Sequence, residues 1–113
     1  MKSALLIIDV QTALCTGEWA AFDIDNVVDR INALSHRARR ASMPVVLIQH
    51  EDDAALRFAT EGWKLYERPA VQPEDMRIRK TASDSFYRTE LHSALQAGAI
   101  NHLIDMVCKV SSA

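Results

Sequence analysis

The chain contains few cysteines, has nearly balanced charge and lacks long apolar runs. Each of these features excludes a class of protein. Its 113 residues include two cysteines, Cys15 and Cys108, without the spacing of a disulfide framework or a metal site. We therefore expect both thiols to be reduced, as in a cytoplasmic protein. A formal net charge of -2 gives no basic footprint for nucleic acid. No apolar run approaches the roughly 18 residues that cross a bilayer, and Asp9 interrupts the N-terminal run too early for a signal peptide.

The composition that remains is that of an ordinary soluble globular protein. Hydrophobic residues make up 49% of the chain and charged residues 25%. A length of 113 residues predicts a single domain spanning 1–113.

The hydrophobic pattern alternates strands with helices. Unbroken apolar runs, which are typical of strands covered on both faces, occur at 4–8 and 45–48, and further strands are predicted at 76–79 and 102–107. A 3.6-residue period from about Asp25 predicts a helix that Ser42 and Pro44 end, and Thr89 is the predicted N-cap of a second helix closed by Gly98. The segments 12–19 and 51–73 are predicted as loops, the second with a helical turn near 54–59, and its length is typical of a lid or binding loop.

This order predicts an α/β fold with a three-layer, doubly wound, mostly parallel sheet of the Rossmann-like kind. Small sheets of this class usually continue beyond a fourth strand with another helix and strand, so the fold looks incomplete on its C-terminal side. An uncovered apolar edge would result, and we therefore expect a homo-oligomer.

Two polar clusters follow predicted strands. Asp9 and Gln11 come directly after the first strand, and Lys80 follows the third. Because the carboxyl ends of parallel strands meet at one edge of a sheet, the carboxylate of Asp9 and the ammonium of Lys80 are expected to lie together above it.

These clusters also carry a family resemblance. The stretch Arg79-Lys80-Thr81-Ala82-Ser83-Asp84-Ser85-Phe86 resembles the isochorismatase-like cysteine hydrolases, which include nicotinamidases, and is its most specific part. The other matching segments occur in family order over about residues 3 to 104. They are 9–11, 15–17, 44–50, 62–63, 89–91 and 97–100.

The resemblance implies a Cys-Asp-Lys triad that cleaves a small amide, ester or vinyl-ether substrate. Asp9 matches the base that acts on the cysteine nucleophile, and Lys80 matches the lysine that orients and ionises it. Gln11, Trp63 and Phe86 are expected to contact the substrate, although the two aromatic residues could instead pack the long loop against the sheet.

No metal or cofactor is expected. Some relatives bind zinc through an aspartate and two histidines, but the paired-histidine spacing is missing after Asp52. His50 is therefore interpreted as a hydrogen-bonding residue at a strand end.

The third member of the triad is missing from its expected place. The family's cysteine would fall near Ala113, and the sequence departs from the family pattern from Asp105 onward. This predicts a C-terminally truncated or altered member that lacks the last part of the family fold. Cys108 is the candidate substitute nucleophile, although its spacing from Lys80 is several residues short, whereas Cys15 matches a position that is commonly cysteine without being the nucleophile.

Two functions therefore stay open. The first is a cysteine hydrolase with impaired or lost catalysis, whose nucleophile would be Cys108 or come from a neighbouring chain. The second is a catalytically inactive homo-oligomeric scaffold or small-molecule-binding protein. A thiolate close to both Asp9 and Lys80 would distinguish the first from the second.

Overall fold

The computed structural model describes residues 2–16, 24–82 and 85–107. Residues 105–107 are described by their backbone alone. In chain order the elements are β1 (Ser3–Ile8), α1 (Thr12–Cys15), α2 (Ile24–Arg40), β2 (Val45–His50), β3 (Met76–Lys80), α3 (Leu91–Ala97) and β4 (His102–Val107).

The four strands form one parallel sheet in the order β3-β2-β1-β4. In the register of β1, Leu5 lies beside Val45 on one side and beside Ile104 on the other. Parallel strands need crossover connections: α2 lies in the one from β1 to β2, the long segment 51–75 joins β2 to β3, and α3 lies in the one from β3 to β4. The predicted α/β class with a parallel sheet is confirmed.

The helices cover opposite faces of this sheet because successive strand residues point to opposite sides. Leu5 and Ile7 pack in one core cluster with Ile31 of α2, whereas Leu6 packs in a second cluster with Leu91 of α3. A strand that is buried on both faces must be apolar without alternation, which is why the run at 4–8 is continuous. The result is the predicted three-layer arrangement.

Helix α2 has a sequence that suits its ends as well as its buried face. Asp25 lies in its first turn, and Arg37, Arg39 and Arg40 lie in its last turn, as the helix dipole favours. Its buried residues include Val28, Ile31 and Ala38, spaced for one face of a helix.

Three predicted boundaries are wrong in detail. Residues 12–15 form the short helix α1 rather than a loop, because the N–H groups of Leu14 and Cys15 donate to the Gln11 carbonyl at 3.0 Å and Cys15 is buried in the core. Four residues are too few to show a period, so the pattern could not reveal it. The remaining predicted loop residues, 17–19, lie outside the described residues.

The other two differences are local. The N-cap of α3 is Glu90 rather than Thr89, although the Thr89 hydroxyl accepts a hydrogen bond from the Leu91 N–H at 3.3 Å. Residues 54–59 form turns rather than a helix, because the Asp52 carboxylate accepts the N–H groups of Ala54 and Leu56 at 2.8 and 3.0 Å and directs the chain into a tight turn.

Hydrogen bonds and an ion pair hold the long connection between β2 and β3 at its middle and at its end. Near its middle, the Tyr66 N–H donates to the Val10 carbonyl at 3.0 Å. Near its end, Arg39 of α2 binds Asp75 at 2.6 Å, and the Asp75 carboxylate also accepts the Gln72 N–H at 2.9 Å. As far as Tyr66 this connection is therefore held at the carboxyl edge of the sheet, where a candidate site lies, and at Asp75 it reaches the opposite edge, where β3 begins. Across the described ranges, no helix has the length and apolar character that a membrane span requires.

Candidate functional site

Asp9 and Lys80 lie together at the carboxyl edge of the sheet. Asp9 follows the last residue of β1, and Lys80 is the last residue of β3. The Lys80 Nζ lies 3.2 Å from Asp9 Oδ1, so the pair crosses above the intervening strand β2. The Lys80 side chain is 3% exposed and that of Asp9 is 14% exposed. The ion pair is therefore largely removed from water. Charge–charge attraction is stronger in the protein interior than in water, because the interior has a lower dielectric constant.

The backbone at Asp9 turns the chain sharply away from the sheet. Its φ of 62° lies in the left-handed region, which aspartate tolerates better than most residues. The Asp9 N–H still donates to the Ile48 carbonyl at 3.0 Å, and its own carbonyl accepts the Gln11 N–H at 3.0 Å. Backbone hydrogen bonds thus fix the strained residue through both its N–H and its carbonyl group. Such strain is common at functional sites, where a side chain is held in one orientation.

The Asp9 carboxylate keeps unused hydrogen-bonding capacity. Its Oδ1 atom is buried and, within the described part of the chain, has no hydrogen bond of good geometry, so the contact with Lys80 is an ion pair rather than an aligned hydrogen bond. Buried carboxylate oxygens normally accept hydrogen bonds, because leaving one unsatisfied costs about 1–3 kcal/mol. Asp9 is therefore an acceptor positioned beside a cation.

Gln11 clamps the long connection to the sheet. Its side chain is completely buried, and its Nε2 donates to the carbonyls of His50 and Trp63, both at 2.8 Å. Its Oε1 accepts the His50 N–H at 2.8 Å. Gln49 adds a donation to the Trp63 carbonyl at 3.2 Å. All these Gln11 partners are backbone groups, and its predicted contact with substrate stays a prediction.

A glycine allows the connection to fold this closely. A Cβ at Gly62 would lie 2.3 Å from the Ala55 carbonyl oxygen and 3.0 Å from the Ala13 Cβ. No side chain larger than hydrogen fits there unless the backbone moves. The neighbouring Ala13 N–H also donates to the Gly62 carbonyl at 3.0 Å, which joins α1 to the connection.

The two aromatic residues predicted to contact substrate lie in different surroundings. The Trp63 ring meets Phe58 edge to face, with centroids 4.8 Å apart, and its buried Nε1 has no hydrogen-bond partner among residues 2–16, 24–82 and 85–107. Phe86 is 41% exposed and precedes α3. The contact with Phe58 is packing within the long connection, whereas the alternative interpretation of Trp63 was packing of that connection against the sheet, which stays a prediction. The substrate contacts of both residues stay predictions.

The cysteines and His50 complete the residues singled out by the sequence. Cys15 is buried in the core cluster beneath α2. Cys108 lies outside the described residues. His50 is half-buried at the end of β2. Within the described ranges, no three His, Cys, Asp or Glu side chains are grouped closely enough to hold a metal ion.

Sequence reasoning missed the residues that position the loop. Gln49 sits inside an apolar strand, where a polar side chain buried to 2% exposure needs an internal partner. An amide side chain within an apolar strand could therefore have indicated a buried hydrogen bond at this position. The partner itself, the Trp63 carbonyl, could not be identified from sequence because it depends on the path of the connection.

Comparison with known proteins agrees with this architecture. The family model described as the isochorismatase domain matches residues 3–105. A streptothricin hydrolase of Streptomyces noursei is 37% identical over 111 residues, covering 96% of this chain and 40% of the relative. The uncharacterized isochorismatase family protein YrdC of Bacillus subtilis is 27% identical over 106 residues, covering 91% of this chain and 57% of the relative. The chain thus spans about half the length of these relatives or less.

Solved structures show the same fold. A crystal structure of an isochorismatase family protein superposes with a TM-score of 0.88 at 31% identity, covering 93% of this chain and 63% of the other. The N-carbamoylsarcosine amidase of Thermoplasma acidophilum, at 22% identity and a TM-score of 0.85, covers 95% of this chain and 68% of its own and shares the fold. From the family match over residues 3–105, the strand-end pair and these superpositions, the chain belongs to the isochorismatase family.

Proposed function

We propose that Asp9 and Lys80 are the acid–base part of a cysteine-hydrolase site for a small amide, ester or vinyl-ether substrate. The observation that carries the proposal is the buried Asp9 Oδ1, which lacks a hydrogen-bond donor in the described residues and lies 3.2 Å from the Lys80 ammonium. An acceptor beside a cation suits a thiol, because the carboxylate can take its proton while the ammonium stabilises the thiolate.

An amide substrate would be hydrolysed through a thioester with the enzyme. A thiol within hydrogen-bond reach of Asp9 transfers its proton to the carboxylate, and the thiolate attacks the substrate carbonyl carbon. The C–N bond breaks, and the amine leaves with the proton held by Asp9. Water then cleaves the thioester, which releases the carboxylic acid and restores the thiol. Lys80 keeps its proton throughout and holds the negative charge of the sulfur near the carboxylate.

The source of the thiol decides the activity. Cys15 packs in the core beneath α2, away from solvent, so in the described part of the chain no cysteine side chain is presented to a substrate. We propose that catalysis by this chain is impaired unless Cys108 or a neighbouring chain supplies the thiol. Strand β4 ends at Val107 in register with Ile8, the residue before Asp9, and Cys108 is the next residue of the sequence.

The first test measures the alkylation rate of Cys108 against pH in a Cys15→Ala background. If Lys80 stabilises the thiolate, we expect the Cys108 pKa to lie below the usual value of about 8.5 and to return toward it in Lys80→Met. Lys64→Met, at an exposed lysine, is the matched control and should leave the titration unchanged. An ordinary thiol pKa that ignores Lys80 would contradict a nucleophilic Cys108.

The second test uses streptothricin, because a relative sharing 37% identity is named for its hydrolysis. With protein in excess, mass spectrometry should detect hydrolysis as product whose total mass exceeds that of streptothricin by one water, and Asp9→Asn should abolish it. Loss of the product in Asp9→Asn with retained folding supports the role of Asp9. A product formed equally by this variant would contradict it.

A scaffold or binding role is the second candidate, and a surface groove favours it. An apolar groove of about 300 Å³ lies between α2 and β4, lined by Leu5, Leu34, Arg37, Ala38, Ala41, Met43 and Ile104. Ile104 is 37% exposed, on the edge strand of the described sheet. If a second copy covers this groove, sedimentation should show a dimer that Ile104→Asp converts to a monomer. A monomeric unmodified protein would refute the association.

A further inference from the structure

A second groove lies on the outer side of β3, and it gathers three arginines from two segments of the chain. It has a volume of about 360 Å³ and is lined by Glu51, Arg77, Arg79, Thr81, Arg88, Thr89 and Glu90. Arg77 and Arg79 are two residues apart on β3 and therefore point to the same face. Arg88 comes from the turn before α3. The described residues of this lining thus contribute three guanidinium groups and two carboxylates.

The charge of Arg79 is already compensated. Its Nε and a terminal guanidinium nitrogen donate to the two Glu51 oxygens at 2.7 and 3.1 Å, and its guanidinium lies 3.6 Å from the centroid of the Phe58 ring. The hydrogen bond from Arg79 lowers the pKa of Glu51, so this carboxylate is charged at neutral pH and is committed to Arg79. Arg79 and Glu51 therefore form a closed pair that builds one wall of the groove.

Arg77 and Arg88 are not compensated in this way. Arg77 is exposed, and among the residues that the structure describes its guanidinium forms no ion pair or hydrogen bond. Arg88 lies 5.3 Å from the centroid of the Tyr87 ring, a contact that leaves its N–H groups available. Among the residues that the structure describes in this lining, Glu90 is the only carboxylate left to oppose these two cations, so the described lining carries a net positive charge.

The backbone at Arg88 strengthens this interpretation. Its φ of 51° lies in the left-handed region, which is costly for a long side chain, and such strain persists where the surrounding structure imposes it. Two like charges held in one groove also repel each other. The repulsion is offset when an anion binds between the guanidinium groups, because charge-assisted hydrogen bonds from arginine are strong and often paired.

We infer that this groove binds the phosphate or carboxylate group of a small anionic molecule through Arg77 and Arg88, with the Thr81 hydroxyl as a further donor. A volume of about 360 Å³ is within the range of small-molecule sites. The site is separate from the Asp9–Lys80 pair, because neighbouring strand residues point to opposite faces: Lys80 is buried while Arg79 is exposed. The inference does not depend on a thiol or on catalysis.

The test is a calorimetric titration with inorganic phosphate and, in a second arm, with citrate, at constant ionic strength set by sodium chloride. Stronger binding of phosphate would assign the groove to a phosphate group, and stronger binding of citrate to carboxylates. We expect saturable binding in at least one arm, weakened roughly tenfold or more in the double variant Arg77→Ala/Arg88→Gly. Glycine is chosen at 88 because it accepts the left-handed backbone without strain, so the variant should still fold.

Arg30→Ala/Arg40→Ala is the matched control, since it removes two exposed arginines from α2 without touching the groove. It should bind as the unmodified protein does. Equal weakening in the two double variants would mean that only overall charge matters and would overturn the inference. Lack of saturable binding in both arms would overturn it as well.

Discussion

The Asp9–Lys80 pair gives the sharpest prediction about stability. Lys80→Met keeps most of the apolar stem but removes the charge, which leaves the Asp9 carboxylate without its cation in a site where it is 14% exposed. Asp9→Asn removes the opposite charge with little change of shape. The double variant removes both charges. Comparing the three separates the ion-pair energy from the effects of each side chain alone.

The magnitude follows from the geometry. Two unit charges 3.2 Å apart attract each other by about 5 kcal/mol at an effective dielectric constant of about 20. Most of this attraction is offset by the loss of hydration, yet removal of one partner of a buried pair typically costs about 3–5 kcal/mol, because the other charge stays buried. Since Asp9 retains some access to water, we expect about 3 kcal/mol for Lys80→Met and about 1 kcal/mol for the double variant.

Urea unfolding followed by circular dichroism measures these free energies. The reasoning requires the double variant to be more stable than Lys80→Met, because it no longer contains a stranded carboxylate. If the stability lost by the double variant, relative to the unmodified protein, equalled the sum of the losses of the two single variants, the two residues would not interact, and the ion pair would have no energetic role. Lys64→Met should cost under about 0.5 kcal/mol, because exposed pairs contribute little.

Three further predictions concern the segments around the site. Gly62→Ala should destabilise the fold by about 2–4 kcal/mol in urea unfolding, because its Cβ would collide with a backbone carbonyl that cannot easily move. Glu51→Gln should lower stability at pH 7 but not at acid pH: the folded-state pKa of Glu51 is depressed below 4.5, so its contribution is present above that value and lost as the pH falls through the folded pKa. Asp75→Ala should cost about 2–3 kcal/mol in thermal or urea unfolding, since it leaves the Arg39 guanidinium without its carboxylate.

Each of these has a control within the chain. Gly98→Ala should be mild, because its Cβ would lie 3.4 Å from the flexible Ile100 side chain and at an ordinary contact distance of 3.8 Å from the Ala94 carbonyl oxygen. Equal losses at both glycines would argue against the collision. Glu61→Gln, at an exposed carboxylate, should show little of the pH dependence expected for Glu51. Glu74→Ala tests the neighbour of Asp75, and a comparable loss there would mean that the ion pair is not the cause.

Much of the fold follows from local patterns. Buried parallel strands have to be continuously apolar, so 4–8 and 45–48 were recognisable, and β4 was predicted over its full range, His102–Val107. The period from Asp25 reflects the single buried face of α2. The helix α1 was missed, because four residues held by a carbonyl and by core contacts leave no periodic signal.

Some features of the candidate site were likewise predictable from the sequence, and others were not. The sequence identified Asp9 and Lys80 as polar residues at strand ends. Because parallel strands share a carboxyl edge, it also predicted that their side chains approach each other. Gln11 was singled out too, but its clamp on the Trp63 carbonyl depends on where the connection passes. The arginine groove likewise joins residues of β3 to a turn before α3.

The sequence by itself determined which segments are buried and which polar residues end the strands, because burial and strand ends leave their mark in neighbouring residues. Tertiary structure alone decided the strand order β3-β2-β1-β4, the 3.2 Å separation of Lys80 from Asp9 and the unsatisfied carboxylate oxygen between them. The physical reason is that each of these features depends on the distances between residues that lie far apart in the chain. Such distances depend on how helices pack on both faces of the sheet and on the path of the long connection, and no local pattern encodes either.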